Sequence, residues 1–130
     1  MSEEYQQTST EPEVVLTEIV LTPFENVIDQ IGTITKAEQR VGGGHVFGEL
    51  TISYVNGNEE ERAVTAGIYL GEEGKLKEMA NSTKEVLIML RDATGSPTIS
   101  GTVGSRVKFS AKQQKKRPSQ GNFTKFSLPA

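Results

Sequence analysis

Basic residues near the end of the chain are spaced as a polyanion would require. The run R-V-K-F-S-A-K and the loop that follows it supply six of them: Arg106, Lys108, Lys112, Lys115, Lys116 and Arg117. In a β-strand the first three project from one face, because side chains alternate between the two faces. The other three lie close together in the loop. Such a row can follow the phosphates of a nucleic acid, and this is the chemistry that we expect here.

The distribution of charge favours a local patch over a generally basic protein. The chain has 130 residues and a formal net charge of −3. Residues 1–104 carry all 17 acids and 7 bases, whereas residues 105–130 carry 7 bases and no acid. A basic end on an acidic body is typical of a local site for a polyanion. The alternative is that these residues form only a solvated strand and loop.

Single-stranded nucleic acid also needs aromatic faces on which bases stack. Phe47 and Tyr69 have outward parity on two predicted strands, and Phe123 has the opposite parity to Phe126 in the run N-F-T-K-F-S-L. If Phe126 packs inside, Phe123 is available to a base. The predicted nucleic-acid-binding residues are therefore Arg40, Phe47, Tyr69, Arg106, Lys108, Lys112, Lys115, Lys116, Arg117, Phe123 and Lys125. The alternative is that the three aromatic rings cover a second small core under an amino-terminal strand.

Catalysis needs convergent groups, and the sequence offers few. His45 is the only histidine and the chain has no cysteine, so no zinc site can be completed from these residue types. The run GGGHVFGEL lacks the lysine followed by serine or threonine of a phosphate-binding loop. We therefore expect no catalytic residue, no metal and no cofactor, which makes the protein a binder and not an enzyme.

Length and composition limit the class of protein. A chain of 130 residues is the size of one domain and can bury a core without disulfides or metals. The absence of cysteine favours the reducing cytoplasm, which is the host cytoplasm if the source is viral. No window approaches the roughly 20 apolar residues of a membrane span, and no basic region followed by an apolar stretch opens the chain. We expect no membrane role.

The first half of the chain is predicted to form strands. Residues 1–13 are polar and acidic, so we expect them to be disordered, and the run VVLTEIVL at Val14–Leu21 predicts an extra strand. Further strands are predicted at Gln30–Arg40, at His45–Val55 with Val46, Gly48, Leu50, Ile52 and Tyr54 on one face, and at Arg62–Leu70 with Val64, Ala66, Ile68 and Leu70 on one face. Gly42, Gly43 and Gly44 predict a flexible loop, and Asn56-Gly57 predicts a tight hairpin turn.

The second half changes to helical periodicity and then returns to strands. The apolar stripe over Lys75–Thr94 predicts a helix, divided into a short turn and a main helix by the capping spacing of Ser82 and Glu85. Gly95 and Pro97 end it. Two more strands are predicted at Thr98–Lys112 and Asn122–Leu128.

Five strands with a helix between the third and the fourth predict a mainly β fold, a five-stranded OB-like Greek-key barrel over residues 14–130 with an extra amino-terminal strand. In such barrels the second and third strands and the loops after the first and fourth strands form the ligand site, and the two most unusual loops of this chain fall there. Another small barrel, or an α+β sandwich built from the same elements, is the alternative.

The segments LRDATG, GTVGSRVKF and GNFTKFSL, in this element order, resemble small phage-type single-stranded DNA-binding and replication-associated proteins with OB-folds. The resemblance covers roughly residues 30–128. It implies a groove that binds single-stranded DNA or RNA with little sequence preference in replication, recombination or repair. Partners among replication or recombination proteins are expected with it, whereas a homo-oligomer is expected from the free strand edge predicted at Val14–Leu21.

Two further hypotheses follow from the amino-terminal residues. The acidic segment 1–13 is expected to compete with nucleic acid for the basic groove. A free strand edge at Val14–Leu21 would instead suit a structural or protein-interaction module, such as a virion component or an adaptor, because unpaired edges are templates for pairing.

Overall fold

Residues 11–129 are described by the structure, a computed structural model, and they form five β-strands, one α-helix and three short 3-10 turns. The elements are β1 Val27–Gly42, β2 His45–Val55, β3 Glu61–Glu72, α1 Asn81–Thr94, β4 Arg106–Gln113 and β5 Gly121–Ser127, with 3-10 turns at Leu16–Glu18, Leu76–Glu78 and Ser100–Thr102. The fold is mainly β, and the helix lies between the third and fourth strands as predicted. The prediction of disorder over residues 1–13 falls mostly outside the described residues.

The strands form one sheet that closes into a ring in the order β1-β2-β3-β5-β4 and back to β1. The first half of β1 pairs with β4 and its second half pairs with β2, both antiparallel. The change of partner falls at Gly32, which faces Tyr54 on β2 and Val107 on β4. A Cβ at Gly32 would lie 2.4 Å from the Ser53 carbonyl oxygen, so this position requires glycine.

The inward side chains of β2 and β3 contribute seven of the seventeen buried apolar residues of the core, as their alternation predicts. Val46, Leu50 and Ile52 on β2 are buried, and so are Val64, Ala66, Ile68 and Leu70 on β3. The helix α1 packs mainly against β5 and buries Leu90 and Ala93. Burial of such side chains contributes about 1.5–3 kcal/mol each for the larger ones, and it fixes which face of β2 and β3 is turned outward.

The predicted strand at Val14–Leu21 is wrong. Residues Leu16–Glu18 form a 3-10 turn, and the first strand begins only at Val27. A β-branched run becomes a strand only where it finds an edge to pair with. Within residues 11–129 the backbone hydrogen bonds of the segment are local, from the Glu18 N–H to the Val15 carbonyl and from the Ile19 N–H to the Leu16 carbonyl, so it pairs with no strand.

The strand predicted at Thr98–Lys112 begins only at Arg106. In the residues before β4, side-chain hydroxyl groups form hydrogen bonds with the backbone. Ser96 Oγ donates to the Thr98 carbonyl at 2.7 Å, and Thr102 Oγ1 donates to the Ile99 carbonyl at 2.6 Å. Such local bonds stabilise turns in competition with a strand ladder. They account for the 3-10 turn at Ser100–Thr102.

The turns differ from their predictions in detail. The β1–β2 connection is a tight turn with positive φ at Gly43 and Gly44, where a flexible loop is predicted. The β2–β3 connection spans residues 56–60, and its positive φ belongs to Glu59 and not to Gly57. The reason is the Asn56 side chain, whose Oδ1 accepts hydrogen bonds from the Asn58 and Glu60 backbone N–H groups and organises a longer turn.

The carboxyl-terminal end of the helix is as predicted, and the amino-terminal end is not. Gly95 ends α1 in the left-handed conformation, with its N–H bonded to the Arg91 carbonyl at 2.7 Å. The division into a short turn and a main helix is also confirmed. The capping role of Ser82 and Glu85 is wrong, because the helix begins at Asn81 after Ala80 and has no side-chain cap.

Phe123 is turned inward, which overturns the prediction that it is available to a base. Ser110 pairs with Lys125 and the next residue, Ala111, pairs with Phe123, so β5 carries one extra residue, Thr124, at a bulge. The bulge changes the parity of β5, and both Phe123 and Phe126 lie in the core. Phe123 is 3% exposed, and its ring centroid lies 5.2 Å from that of Phe126.

Because Phe123 is a core residue, Phe123→Ala is expected to lower the free energy of unfolding by about 3–5 kcal/mol through lost burial and a cavity. The control is Leu128→Ala at an exposed position, which should change it by less than about 0.5 kcal/mol. Urea unfolding of both variants checks this. Equal stability of the two variants would contradict the inward orientation of Phe123.

Candidate nucleic-acid interface

Two aromatic side chains lie next to each other on the outward face of β2 and β3. Phe47 is directly opposite Tyr69 in the strand register. Tyr69 is 48% exposed and Phe47 is partly buried. The Tyr69 hydroxyl lies 2.9 Å from His45 Nδ1, which fixes the ring over the strand pair. This contact gives His45 a positioning role that the sequence analysis missed, although its outward parity beside Phe47 was a usable signal.

The rest of this face carries few large side chains. Glu49 lies opposite Gly67, Thr51 opposite Thr65, and the two threonine hydroxyls are 2.8 Å apart. A Cβ added at Gly67 would make only ordinary contacts, 3.5 Å to the Gly48 carbonyl oxygen and 3.8 Å to Asn122 Oδ1. The surface defined by Phe47, Glu49, Thr51, Thr65, Gly67 and Tyr69, called the β2–β3 trough below, is therefore shallow and open beside the two rings.

One side of the β2–β3 trough leads to the basic loop. Gly67 pairs with Asn122, and Asn122 pairs on its other side with Lys112. Because β3 and β5 are parallel at this pair, the chain that precedes Gly121 approaches the sheet beside the first half of β3. That chain carries three exposed bases, Lys115, Lys116 and Arg117. The fold thus brings Lys112 and the loop bases toward the trough.

Hydrogen bonds hold the ends of the basic loop in place. The Gln114 N–H donates to the Gln120 carbonyl at 2.9 Å, and Gln114 Nε2 donates to Asn122 Oδ1 at 2.9 Å. The segment before β1 packs on the same loop, since the Phe24 N–H donates to the Pro118 carbonyl at 2.7 Å. A Cβ at Gly121 would lie 2.3 Å from Phe24 Cζ, so the ring fills the space that this glycine leaves. The loop bases therefore project from a supported hairpin.

Arg40 is on the opposite side of the trough, but its charge already has partners. It lies across from Phe47 in the β1–β2 register. Its Nε donates to Glu38 Oε1 at 2.8 Å and lies 3.6 Å from Glu49 Oε1. The hydrogen bond from Arg40 lowers the pKa of Glu38, and the same bond raises the pKa of Arg40. Arg40 is therefore a weaker candidate for a phosphate than the loop bases.

The remaining predicted bases lie on another part of the ring. Arg106 and Lys108 project outward from β4 opposite the first half of β1, and Lys125 Nζ is 3.8 Å from Asp29 Oδ1. Arg106 also lines an open groove of about 880 Å³ together with Arg62. The structure thus divides the predicted residues into a group at the trough and a group around β4, and it removes Phe123 from both.

Two features are absent from residues 11–129. These residues contain no group of three histidine or acidic side chains placed to hold a metal ion. In the same range, no helix combines the length and the apolar character needed to cross a membrane.

Comparisons with known proteins add no family. No family model matches the chain, and no curated protein matches it. The function must therefore be argued from the residues and their geometry.

Proposed function

We propose that the protein is a non-enzymatic binder of single-stranded nucleic acid, primarily DNA. We also propose that its ring of strands is an OB-type barrel. The observation that carries the proposal is the pair Phe47 and Tyr69 on an open strand face with Lys112 and a supported basic loop at its edge. Aromatic stacking beside a basic track is the arrangement that single strands need. In OB barrels the second and third strands and the β4–β5 loop supply such a site.

The charges of the trough orient the bound strand. Glu49 lies within the trough and repels phosphates, whereas Lys115, Lys116 and Arg117 attract them from its edge. The nucleobases of the bound strand therefore face the rings of Phe47 and Tyr69 and Gly67, and its sugar-phosphate backbone lies toward the basic loop. Stacking accepts any base, so binding is tolerant of sequence. The proposed setting is replication, recombination or repair in the cytoplasm.

The competing proposal is a structural or protein-interaction module, such as a virion component or an adaptor. The exposed apolar residues before β1 are the observation that favours it. The two proposals differ in one measurable property, because only the first requires binding to a single strand without any protein partner.

The loop bases are tested by fluorescence anisotropy with a labelled oligo-dT and with a matching duplex. The wild-type protein should prefer the single strand, and replacing Lys115, Lys116 and Arg117 together by alanine should weaken binding. Each lost phosphate contact removes about 0.7 from the slope of log K against log salt, so the slope should fall by about 2.

The matched control for that variant replaces Lys75, Lys77 and Lys84 by alanine, which removes the same charge from residues outside the β4–β5 loop. It should keep most of the affinity and the salt slope. Equal losses in both triple variants would mean that net charge, and not the loop, attracts the strand. No binding to oligo-dT at low salt would move the assignment to the protein-interaction module.

The stacking surface is tested separately at Tyr69. Tyr69→Ala should weaken binding to oligo-dT by about 1–3 kcal/mol, with the salt slope unchanged, because a stacked base and not a phosphate is lost. Tyr69→Phe keeps the ring, loses the hydroxyl contact with His45 that positions it, and should lose clearly less affinity than Tyr69→Ala. If the two variants lose affinity equally, the ring of Tyr69 does not stack a base.

The amino-terminal acids are tested by deleting residues 1–13. The Phe24 N–H donates to the Pro118 carbonyl, so residue 24 of the chain is fixed at the basic loop. Deletion should tighten binding severalfold at low salt, and the difference should disappear at high salt, where exposed charges are screened. A full-length variant with Glu3, Glu4, Glu11 and Glu13 changed to glutamine separates charge from length and should behave like the deletion. Unchanged affinity in both would remove the competition hypothesis.

A further inference from the structure

The outward face of β2 and β3 continues beyond the β2–β3 trough. After Thr51 and Thr65, the next outward pair along the two strands is Ser53 and Ala63, and both of these small residues are exposed. Ser53 and Ala63 also line the open groove of about 880 Å³ that contains Arg106. The trough therefore leads directly into this groove.

One row of paired residues connects Arg106 to the face of the trough. In the strand register, Arg106 pairs with Thr33, Thr33 pairs with Ser53, and Ser53 pairs with Ala63. Neighbouring strands are about 4.8 Å apart, so the backbone of Arg106 lies about 10 Å from that of Ser53. Thr33 is the residue between them in this row, and its side chain is short. The long side chain of Arg106 can therefore contact a nucleic-acid strand that lies over Ser53.

Arg106 is the guanidinium of the groove that is free to bind a phosphate. Within residues 11–129 its side chain has no hydrogen-bond or ion-pair partner. The other guanidinium in the groove lining belongs to Arg62, and it lies 2.9 Å from Glu60 Oε2. An unpaired guanidinium binds phosphate oxygens through two parallel hydrogen bonds.

We propose that the groove is a second subsite for the single strand, which passes from the rings of Phe47 and Tyr69 over Ser53 and places a phosphate at Arg106. This inference rests on the proposed function and extends its site. The sugar-phosphate backbone crosses from the basic loop, beside β3, to the β1 side of the sheet.

The distance between the two subsites sets the length of strand that the protein takes. Ser53 is six residues after Phe47 on β2, which is about 20 Å at roughly 3.3 Å per residue. A stacked strand advances about 3.4 Å per nucleotide, so the rings and the groove together take about six nucleotides or more. The protein therefore prefers long single strands to short oligonucleotides.

The acids of the groove determine on which side the backbone lies. Asp29 Oδ1 is 3.8 Å from Lys125 Nζ, which offsets its charge. Glu61 pairs with Val55, one outward position beyond Ser53 toward the β2–β3 turn. Because like charges repel, the phosphates lie on the Arg106 side of the groove and not on the Glu61 side.

Two oligonucleotide lengths separate the groove from the trough in fluorescence anisotropy at low salt. A stacked dT4 is about 14 Å long and occupies the trough alone, whereas dT12 also reaches the groove. Arg106→Ala should weaken binding of dT12 about 3–10-fold and lower the slope of log K against log salt by about 0.7, because one phosphate contact is lost. It should leave the affinity for dT4 unchanged.

The matched control is Arg91→Ala, which removes an arginine of α1 that is not in the groove lining. It should bind dT12 as the wild type does. Equal losses in the two arginine variants, or equal losses of Arg106→Ala with dT4 and dT12, would overturn the inference. If Tyr69→Ala weakens binding of dT12 and Arg106→Ala does not, the inference fails and the proposed function stands. If the wild type binds no oligo-dT, both fail.

Thiol protection locates the strand directly, because the wild-type chain has no cysteine. Ser53→Cys places a thiol on the exposed face between the trough and the groove. Saturating dT12 should slow the reaction of this thiol with a maleimide at least about threefold by covering it. The control Glu85→Cys, on the exposed side of α1, should react equally fast with and without dT12. A Ser53→Cys variant that binds dT12 and is not protected shows that the strand takes another path, and the inference is then wrong.

Discussion

The ring depends on one strand that serves two partners. Strand β1 pairs with β4 before Gly32 and with β2 after it, and at Gly32 the backbones approach too closely for any side chain. Because β1 is used on both edges, its neighbours are fixed and the inward faces of β2 and β3 meet in one core. The outward faces follow from this arrangement. Phe47 and Tyr69 lie outside because Val46 and Leu70 lie inside.

Local alternation and periodicity carry much of this structure, so those parts were predictable. The bounds of β2, the inward residues of β3 and the end of α1 at Gly95 all depend on residues close in sequence. The outward parity of Phe47 and Tyr69 follows from the same alternation. For a candidate site on adjacent antiparallel strands, the sequence therefore identifies which side chains share a face.

The features that sequence reasoning missed depend on distant partners. The bulge at Thr124 is visible only against Ser110 and Ala111 on β4, and it alone decides that Phe123 is buried. The run at Val14–Leu21 has the composition of a strand, but composition does not show whether a free edge exists. The role of the basic residues also depends on distant partners. Arg40 lies beside the trough as predicted, but its guanidinium is paired with Glu38, which only the geometry shows.

The ring has one weak seam. Within residues 11–129, β3 and β5 are joined in parallel by the pair Gly67 and Asn122, whereas every other neighbouring pair of strands shares a longer ladder. Local opening is easiest where backbone hydrogen bonds are fewest, so we expect the ring to open first between β3 and β5, with the β1–β2–β3 sheet intact. The seam lies between the trough and the basic loop. A molecule that contacts both the trough and the basic loop would bind only the closed ring. Its binding would therefore raise the thermal stability of the whole protein.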